Sequence, residues 1–480
     1  MRPSMRITRA RLKRTSALLA AALLGACSMA PKYVQPDSPV PQSWPDGEAY
    51  RDTVSAEPRP LTYAEVFADP ALQGLIAQAL ENNRNLRVAA ANIAAARAQV
   101  KVTRANQFPA LATTASATHQ ETGGGFGLNG WSYALRAGVS NFELDLFGRL
   151  KNATAAQVNT ALSTEAAART VQLGLIADIA QGWATYAADR ELLRIAEDTA
   201  RIAGESVRLT RARLEGGIAA RSELRQAQQV LETARSDLAA QKTALAQDVN
   251  ALRLLVGADF DESALPGSIT RVNAALAEVP ASADTTILLS RPDVLEAEYS
   301  LRAANANIGV ARAQLFPTIS LSALTGFAAQ SLSGLFDEAS RSTSYGGSGE
   351  WSIFNAGGRS ANVGVAKAQR DAALAAYEGA IQTAFRETAD ALADQGTIAE
   401  RLNAATNFTE VSADNARLVE ATYRQGMASS LENLDAQRSL YAARQAEVGM
   451  RLARAVNRIT LYRVLGGEWV SQPRPDEATN

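Results

Sequence analysis

The residues able to do chemistry are few, and their spacing excludes most of it. The chain has 480 residues, one cysteine (Cys27) and one histidine (His119). A lone cysteine closes no disulfide within the chain, and one cysteine with one histidine cannot build a Cys/His zinc cluster. A Ser-His-Asp triad would have to use His119, which lies in a small, Thr-rich stretch. Chemistry by carboxylates alone stays open, although no pattern signals it, so no catalytic, cofactor or metal site is expected. Charge is equally plain: 48 Lys+Arg face 49 Asp+Glu. The first 26 residues hold six basic residues and no acid; without them 42 basic residues face 49 acidic ones, a net charge of −7. That is no footprint for a nucleic acid.

Cys27 has a context of its own. A basic region precedes an apolar run from Ala17 to Leu24, too short to span a bilayer but suited to a secretory signal. Leu24-Gly25-Ala26-Cys27 resembles a bacterial lipobox, which implies cleavage before Cys27 and its acylation. Ser28, rather than Asp, follows, which suggests sorting to the outer membrane. No later stretch approaches roughly 18 uninterrupted apolar residues, so any membrane crossing must use strands.

The elements that would position anything else come in two copies. Arg213–Gln228 and Tyr423–Arg438 are similar stretches, with Gly217 and Gly426 aligned 209 residues apart. A glycine between two helical patterns ends one helix and reverses the chain, so both stretches read as tips of long helical hairpins. The helices running into the tips, roughly 150–214 and 359–424, are rich in Ala and free of Pro. About 65 helical residues reach roughly 100 Å, more than a globular core needs. Return helices follow over about 218–256 and 427–465. Earlier helical patterns run from about 71 to 106 and 291 to 314, each ending at Phe-Pro (Phe108-Pro109, Phe316-Pro317).

After each Phe-Pro the period changes to two. Trp131, Tyr133, Leu135, Ala137 and Val139 fall on one face, opposite Ser132, Ala134, Arg136, Gly138 and Ser140. The second copy puts Ile319, Leu321, Ala323, Thr325 and Phe327 on one face, with a weak partner strand over Tyr345–Phe354. Strands of about 10 residues are long enough to cross a membrane. Four strands cannot close a barrel and an open edge in lipid is prohibitive, so several chains must contribute; three would give about 12 strands and an aqueous lumen.

The chain is therefore divided into a signal peptide (1–26), an extended Pro-rich wrap (27–70), a first repeat (71–257, β-hairpin 108–143, tip near 217), an equatorial linker (258–290), a second repeat (291–466, β-hairpin 316–355, tip near 426) and a tail (467–480), expected to be disordered from Gln472.

Ala30-Pro-Lys-Tyr-Val-Gln-Pro36, both Phe-Pro junctions, Ile353-Phe-Asn-Ala-Gly-Gly-Arg359 and Leu434-Asp-Ala-Gln-Arg438 occur in an order that resembles the TolC-like outer-membrane factors, specifically the OprM-like lipoproteins of tripartite efflux systems. The resemblance implies a mainly α fold with a small membrane β part: a homotrimer whose 12-stranded β-barrel, four strands per chain, continues into a long periplasmic α-helical barrel. It implies a passive conduit for small molecules, anchored to outer-membrane lipid through acylated Cys27, docked to a periplasmic adaptor and an inner-membrane transporter. It also implies a periplasmic gate. Tyr423, Leu431 and Asp435 match constricting positions, Glu432 a further acidic position, and Glu223 an acid that contacts the Tyr. Gly217, Gly426, Ala428 and Ser429 mark the tips where an adaptor would touch. Ala428 replaces a basic residue that forms a second latch contact in the family. Around a three-fold axis the carboxylates would repel or hold a cation between them, and three Leu would make a dry constriction. A polypeptide exit duct of type I secretion, a periplasmic coiled-coil adaptor lipoprotein and a carboxylate-based hydrolase are the alternatives.

Overall fold

Local sequence sets the breaks between elements before packing sets their partners. The computed structural model describes residues 28–50, 61–121, 130–279 and 284–467. The predicted signal peptide, Cys27, the Gly-rich segment 122–129, Pro58, Pro60, Pro280 and the tail beyond Gly467 lie outside the described residues. In order, the elements are α1 (Tyr63–Val66), α2 (Pro70–Asn82), α3 (Arg84–Ala105), β1 (Leu111–Gln120), β2 (Gly130–Leu144), α4 (Arg149–Glu215), α5 (Arg221–Val256), α6 (Ile269–Ala275), α7 (Pro292–Ala313), β3 (Thr318–Ala329), β4 (Arg341–Glu350), α8 (Gly358–Arg424) and α9 (Ser430–Val464). The long helices α4 and α8 have 67 residues each.

The single helix expected over 71–106 is two. Asn83 leaves the helical region (φ −61, ψ 132), and its side-chain Oδ1 accepts from the backbone N–H groups of Asn85 and Leu86 at 2.8 and 3.2 Å. An Asn that caps the following helix offers the backbone a competing set of bonds, which is why the pattern breaks there.

Two compact units result. The first comprises the described residues within 28–37, 92–165 and 296–378 and contains an antiparallel sheet of order β1-β2-β3-β4. Leu135 lies opposite Phe327 and Val139 opposite Ala323, so the two predicted apolar faces are one face. The register then shifts between Val139 and Phe142, with Asn141 at φ 55. Without that bulge, the odd-numbered face would continue through Asn141 and Glu143. With it, Phe142 and Leu144 pair with Leu321 and Ile319 and extend the apolar face. Arg136 (opposite Gly326) and Glu350 (opposite Thr318) share the other face. The expected strand Tyr345–Phe354 is corrected to Arg341–Glu350: Thr318, the first residue after Pro317, pairs with Glu350, so the ladder ends there. Every residue of β1 is exposed, as are Trp131, Leu321 and Tyr345 on the apolar face. The strap before the sheet is tied to the same unit. Ser28 Oγ donates to Asn152 Oδ1 (2.8 Å), Arg312 donates to the Met29 carbonyl (3.2 Å), and Asn305 donates to the Pro31 carbonyl (2.8 Å).

The second unit comprises the described residues within 38–91, 166–295 and 379–467. Its core buries Phe67, Ile76, Ile176, Trp183, Leu252 and Tyr462, each worth about 1.5–3 kcal/mol relative to exposure. Segments about 200 residues or more apart in the chain meet here. Ala68 N donates to Ala275 O and Ala277 N to Val66 O, and Thr285 donates to the Pro41 carbonyl. Arg458 of α9 donates to the carbonyls of Asn273 and Leu276 (2.9 and 2.7 Å) and pairs with Glu278, clasping the linker to the helices. Among the described residues no helix is long and apolar enough to cross a membrane.

Candidate functional site

Both helical hairpins of the second unit turn by the same local chemistry. Gly217 and Gly426 have φ of 76 and 78, the left-handed region that penalises a side chain. Ile218 N donates to Arg213 O and Gly217 N to Leu214 O; Met427 N donates to Thr422 O and Gly426 N to Tyr423 O. These are paired Schellman closures, which satisfy the last helical carbonyls. The return helices therefore start at Arg221 and Ser430, three residues later than the sequence suggests.

The first acid after each turn is committed to capping. Ser429 Oγ accepts from Glu432 N at 3.2 Å, and a Glu432 carboxylate oxygen accepts from Ser429 N at 2.7 Å. This reciprocal bond to the Ser429 backbone holds the Glu432 carboxyl below its ordinary range. Glu223 accepts from Ala220 N at 3.2 Å in the first hairpin.

Tyr423 is the buried centre of the site, only 3% exposed. The contact with Glu223 implied by the resemblance is not made, because that carboxylate bonds its own helix start. Arg213 from the other hairpin takes the place: its guanidinium carbon lies 4.2 Å from the Tyr423 ring centroid, and its Nη2 donates to the Tyr423 carbonyl at 2.8 Å. A cation over the ring and on a helix-end carbonyl is favoured by the ring quadrupole and the helix dipole together. Arg213 was missed in the sequence, although it is a basic residue in the last turn of a helix, four positions before the tip glycine.

The other residues that the resemblance assigns to a gate on α9 face outward. Leu431, Glu432 and Asp435 lie on the exposed side of α9, and Asp435 pairs with Arg438 at 2.5 Å. Ile218, Met427 and Leu431 are exposed apolar residues at or beside the turns. Ala428 is half-buried and Ser429 exposed. Among the described residues no cluster of three His, Cys, Asp or Glu could hold a metal ion.

A partly exposed apolar sheet face and paired helical hairpins are the parts that comparison with known proteins explains. It belongs to the outer membrane efflux protein family, whose model matches residues 75–258 and 285–467. The antibiotic efflux pump outer membrane protein ArpC of Pseudomonas putida is 41% identical over 473 residues, covering 95% of this chain and 96% of ArpC. The cation efflux system protein CusC of Escherichia coli O157:H7 is 38% identical over 464 residues, 94% of this chain and 97% of CusC. A solved CusC structure superposes with a TM-score of 0.81 at 37% identity, over 92% of this chain and 100% of that one. The open state of the Neisseria gonorrhoeae MtrE outer membrane channel matches with a TM-score of 0.77 at 33% identity, over 92% and 98% of the two chains. The protein is an outer-membrane efflux channel component.

Proposed function

We propose that three copies of this chain close a 12-stranded barrel through which small molecules leave the periplasm, with the hairpin tips as the gate. One observation carries the reading. The four-stranded sheet leaves β1 and β4 unpaired on their outer edges and exposes Trp131, Leu321 and Tyr345 on its apolar face. Unpaired edges in lipid are prohibitive, so neighbouring copies pair them; lipid covers the apolar face and water the face of Arg136 and Glu350. The strap from Ser28 to Pro31 is fixed beside the helix ends that border the strands, which supports a lipid anchor near the bilayer. Acylation and the internal duplication are part of the same proposal.

The gate is the clasp between hairpins. Arg213 of α4 holds Tyr423 of α8, and it supplies the cation absent at Ala428. Leu431, Glu432 and Asp435, present three times around a three-fold axis, narrow the entrance until the hairpins part. A periplasmic adaptor docks at Gly217, Gly426, Ala428 and Ser429, and an inner-membrane transporter supplies the energy. Relatives named for antibiotics and for cations share this architecture, so the transporter selects the cargo. Native mass of the detergent-solubilised protein tests the assembly. A complex of three chains supports it, and a monomer that stays soluble without detergent contradicts it.

A further inference from the structure

One face of α7 carries the strap. Arg312 donates to the Met29 carbonyl at 3.2 Å, Asn305 to the Pro31 carbonyl at 2.8 Å, and the Arg302 guanidinium lies 4.9 Å from the Tyr33 ring centroid. Gly309 sits among them, and a side chain there would strike Ala30, whose N lies 2.7 Å from the place of a Cβ. The matching face of α3 carries no strap. Arg97, Lys101 and Arg104 precede Asn305, Gly309 and Arg312 by the same 208 residues that separate Pro109 from Pro317. A glycine stands where the chain crosses, and a lysine where it does not.

Spaced i, i+4 and i+7, the three basic residues share one side of α3, and all are exposed. Arg97 is paired with Glu165 at 2.7 Å. The side chains of Lys101 and Arg104 have no hydrogen bond or ion pair among the described residues. The acids at this end are engaged elsewhere: Glu143 pairs with Arg149, and Asp145 accepts from the Lys151 N–H. Lys101 and Arg104 are therefore cations without a counter-charge.

Their face borders lipid, given the barrel and the duplication proposed above, on which the inference rests. The strap leads to Cys27, whose acyl chains meet lipid only outside the barrel, so the strapped face of α7 and its copy on α3 look outward. Leu111 gives the same direction: it lies opposite Val139 on the apolar sheet face and is 80% exposed. Phe108, between α3 and β1, is exposed as well. At about 1.5 Å per residue, Arg104 and Lys101 stand roughly 6 and 10 Å before Phe108, where long basic side chains reach a headgroup layer.

From this placement we infer that α3 carries a binding site for an anionic phospholipid of the periplasmic leaflet. The phosphate accepts from the forked donors of Arg104 and from the Lys101 ammonium, and an acyl chain lies along Phe108 and Leu111. A headgroup with no cation of its own is favoured, because a choline would bring a further positive charge beside these two.

The test counts lipids retained by the purified, detergent-solubilised protein in native mass spectrometry, with equimolar dioleoyl phosphatidylglycerol and dioleoyl phosphatidylcholine added. The two share acyl chains and phosphate and differ in the choline charge. Phosphatidylglycerol should be retained over phosphatidylcholine by at least about five-fold. The ratio should fall to about one in Lys101→Gln/Arg104→Gln. It should persist in Lys101→Arg and in the control Arg87→Gln/Lys242→Gln, which removes exposed cations elsewhere. With a three-chain mass intact, three results overturn the site alone: no preference in the unaltered chain (as when a neighbouring copy covers both cations), a preference that survives the Lys101/Arg104 change, or an equal loss in the control. A monomer that stays soluble without detergent overturns the channel reading and the site with it.

Discussion

Replacing Arg213 by Ala removes the clasp between the hairpins and should open the channel. Two interactions are lost. The hydrogen bond to the Tyr423 carbonyl is charge-assisted but half-exposed, which places it near about 1 kcal/mol, and the cation–π contact contributes about 0.5–1 kcal/mol more. Losing about 1.5–2 kcal/mol shifts each chain's own closed-to-open balance by about ten- to thirty-fold. Single-channel recording in planar bilayers should show longer open times or a larger mean conductance for Arg213→Ala, with trimer mass and melting temperature checked in the same preparation. Arg213→Lys keeps the charge but not the planar stack and should fall between. Glu223→Ala should change little, since that carboxylate caps only its own helix. Unchanged conductance in Arg213→Ala beside raised conductance in Glu223→Ala would refute the reasoning and restore the latch that the family resemblance implies.

Three further outcomes are expected. Asp189 and Asp248 share a hydrogen bond between α4 and α5; burial raises both, and with Asp189 beside it Asp248 is pushed up to about 7. The unfolded carboxyls ionise from about pH 4 while the folded pair still holds protons, so stability declines from there to about pH 7 and then levels. Asp248→Asn should therefore raise the melting temperature at pH 8 and leave it nearly unchanged at pH 4; half-exposure reduces the gain to about 1–2 kcal/mol. Inserting one residue beside Asn141 exceeds what the bulge absorbs and turns Phe142 and Leu144 to the polar face, so outer-membrane insertion, followed by fractionation, should collapse, whereas deleting Asn141, which keeps Phe142 opposite Leu321, should insert normally, as should Asn141→Gly. Ser429→Ala removes half of a capping box and should cost about 1 kcal/mol, read as faster amide exchange at the start of α9.

What the sequence made legible was whatever repeats or alternates. The tip glycines, the Pro-free helices and the period-two faces are local signals, and each appears where its residues predict. Less legible were features that depend on a second segment. Asn83 reads as helix until its side chain is seen capping α3, and the bulge at Asn141 matters only because β3 supplies the ruler. Position 248 shows the same limit. Asn457, placed after it by the same 209 residues that separate the tip glycines, donates to the Ala391 carbonyl, whereas Asp248 meets Asp189, a pairing no local pattern announces. At the tips, Tyr423 and Glu223 were visible as residues, but the partner of Tyr423 was not, because a capping bond three residues long outcompetes a contact between hairpins.

The most direct test of the whole account is the planar-bilayer conductance of the purified, detergent-solubilised protein, with its mass measured in the same preparation. Discrete, small, cation-preferring steps from a three-chain complex, enlarged by Arg213→Ala, are the predicted result. A silent bilayer from a monomer that needs no detergent would contradict the claim that this chain builds a gated outer-membrane channel.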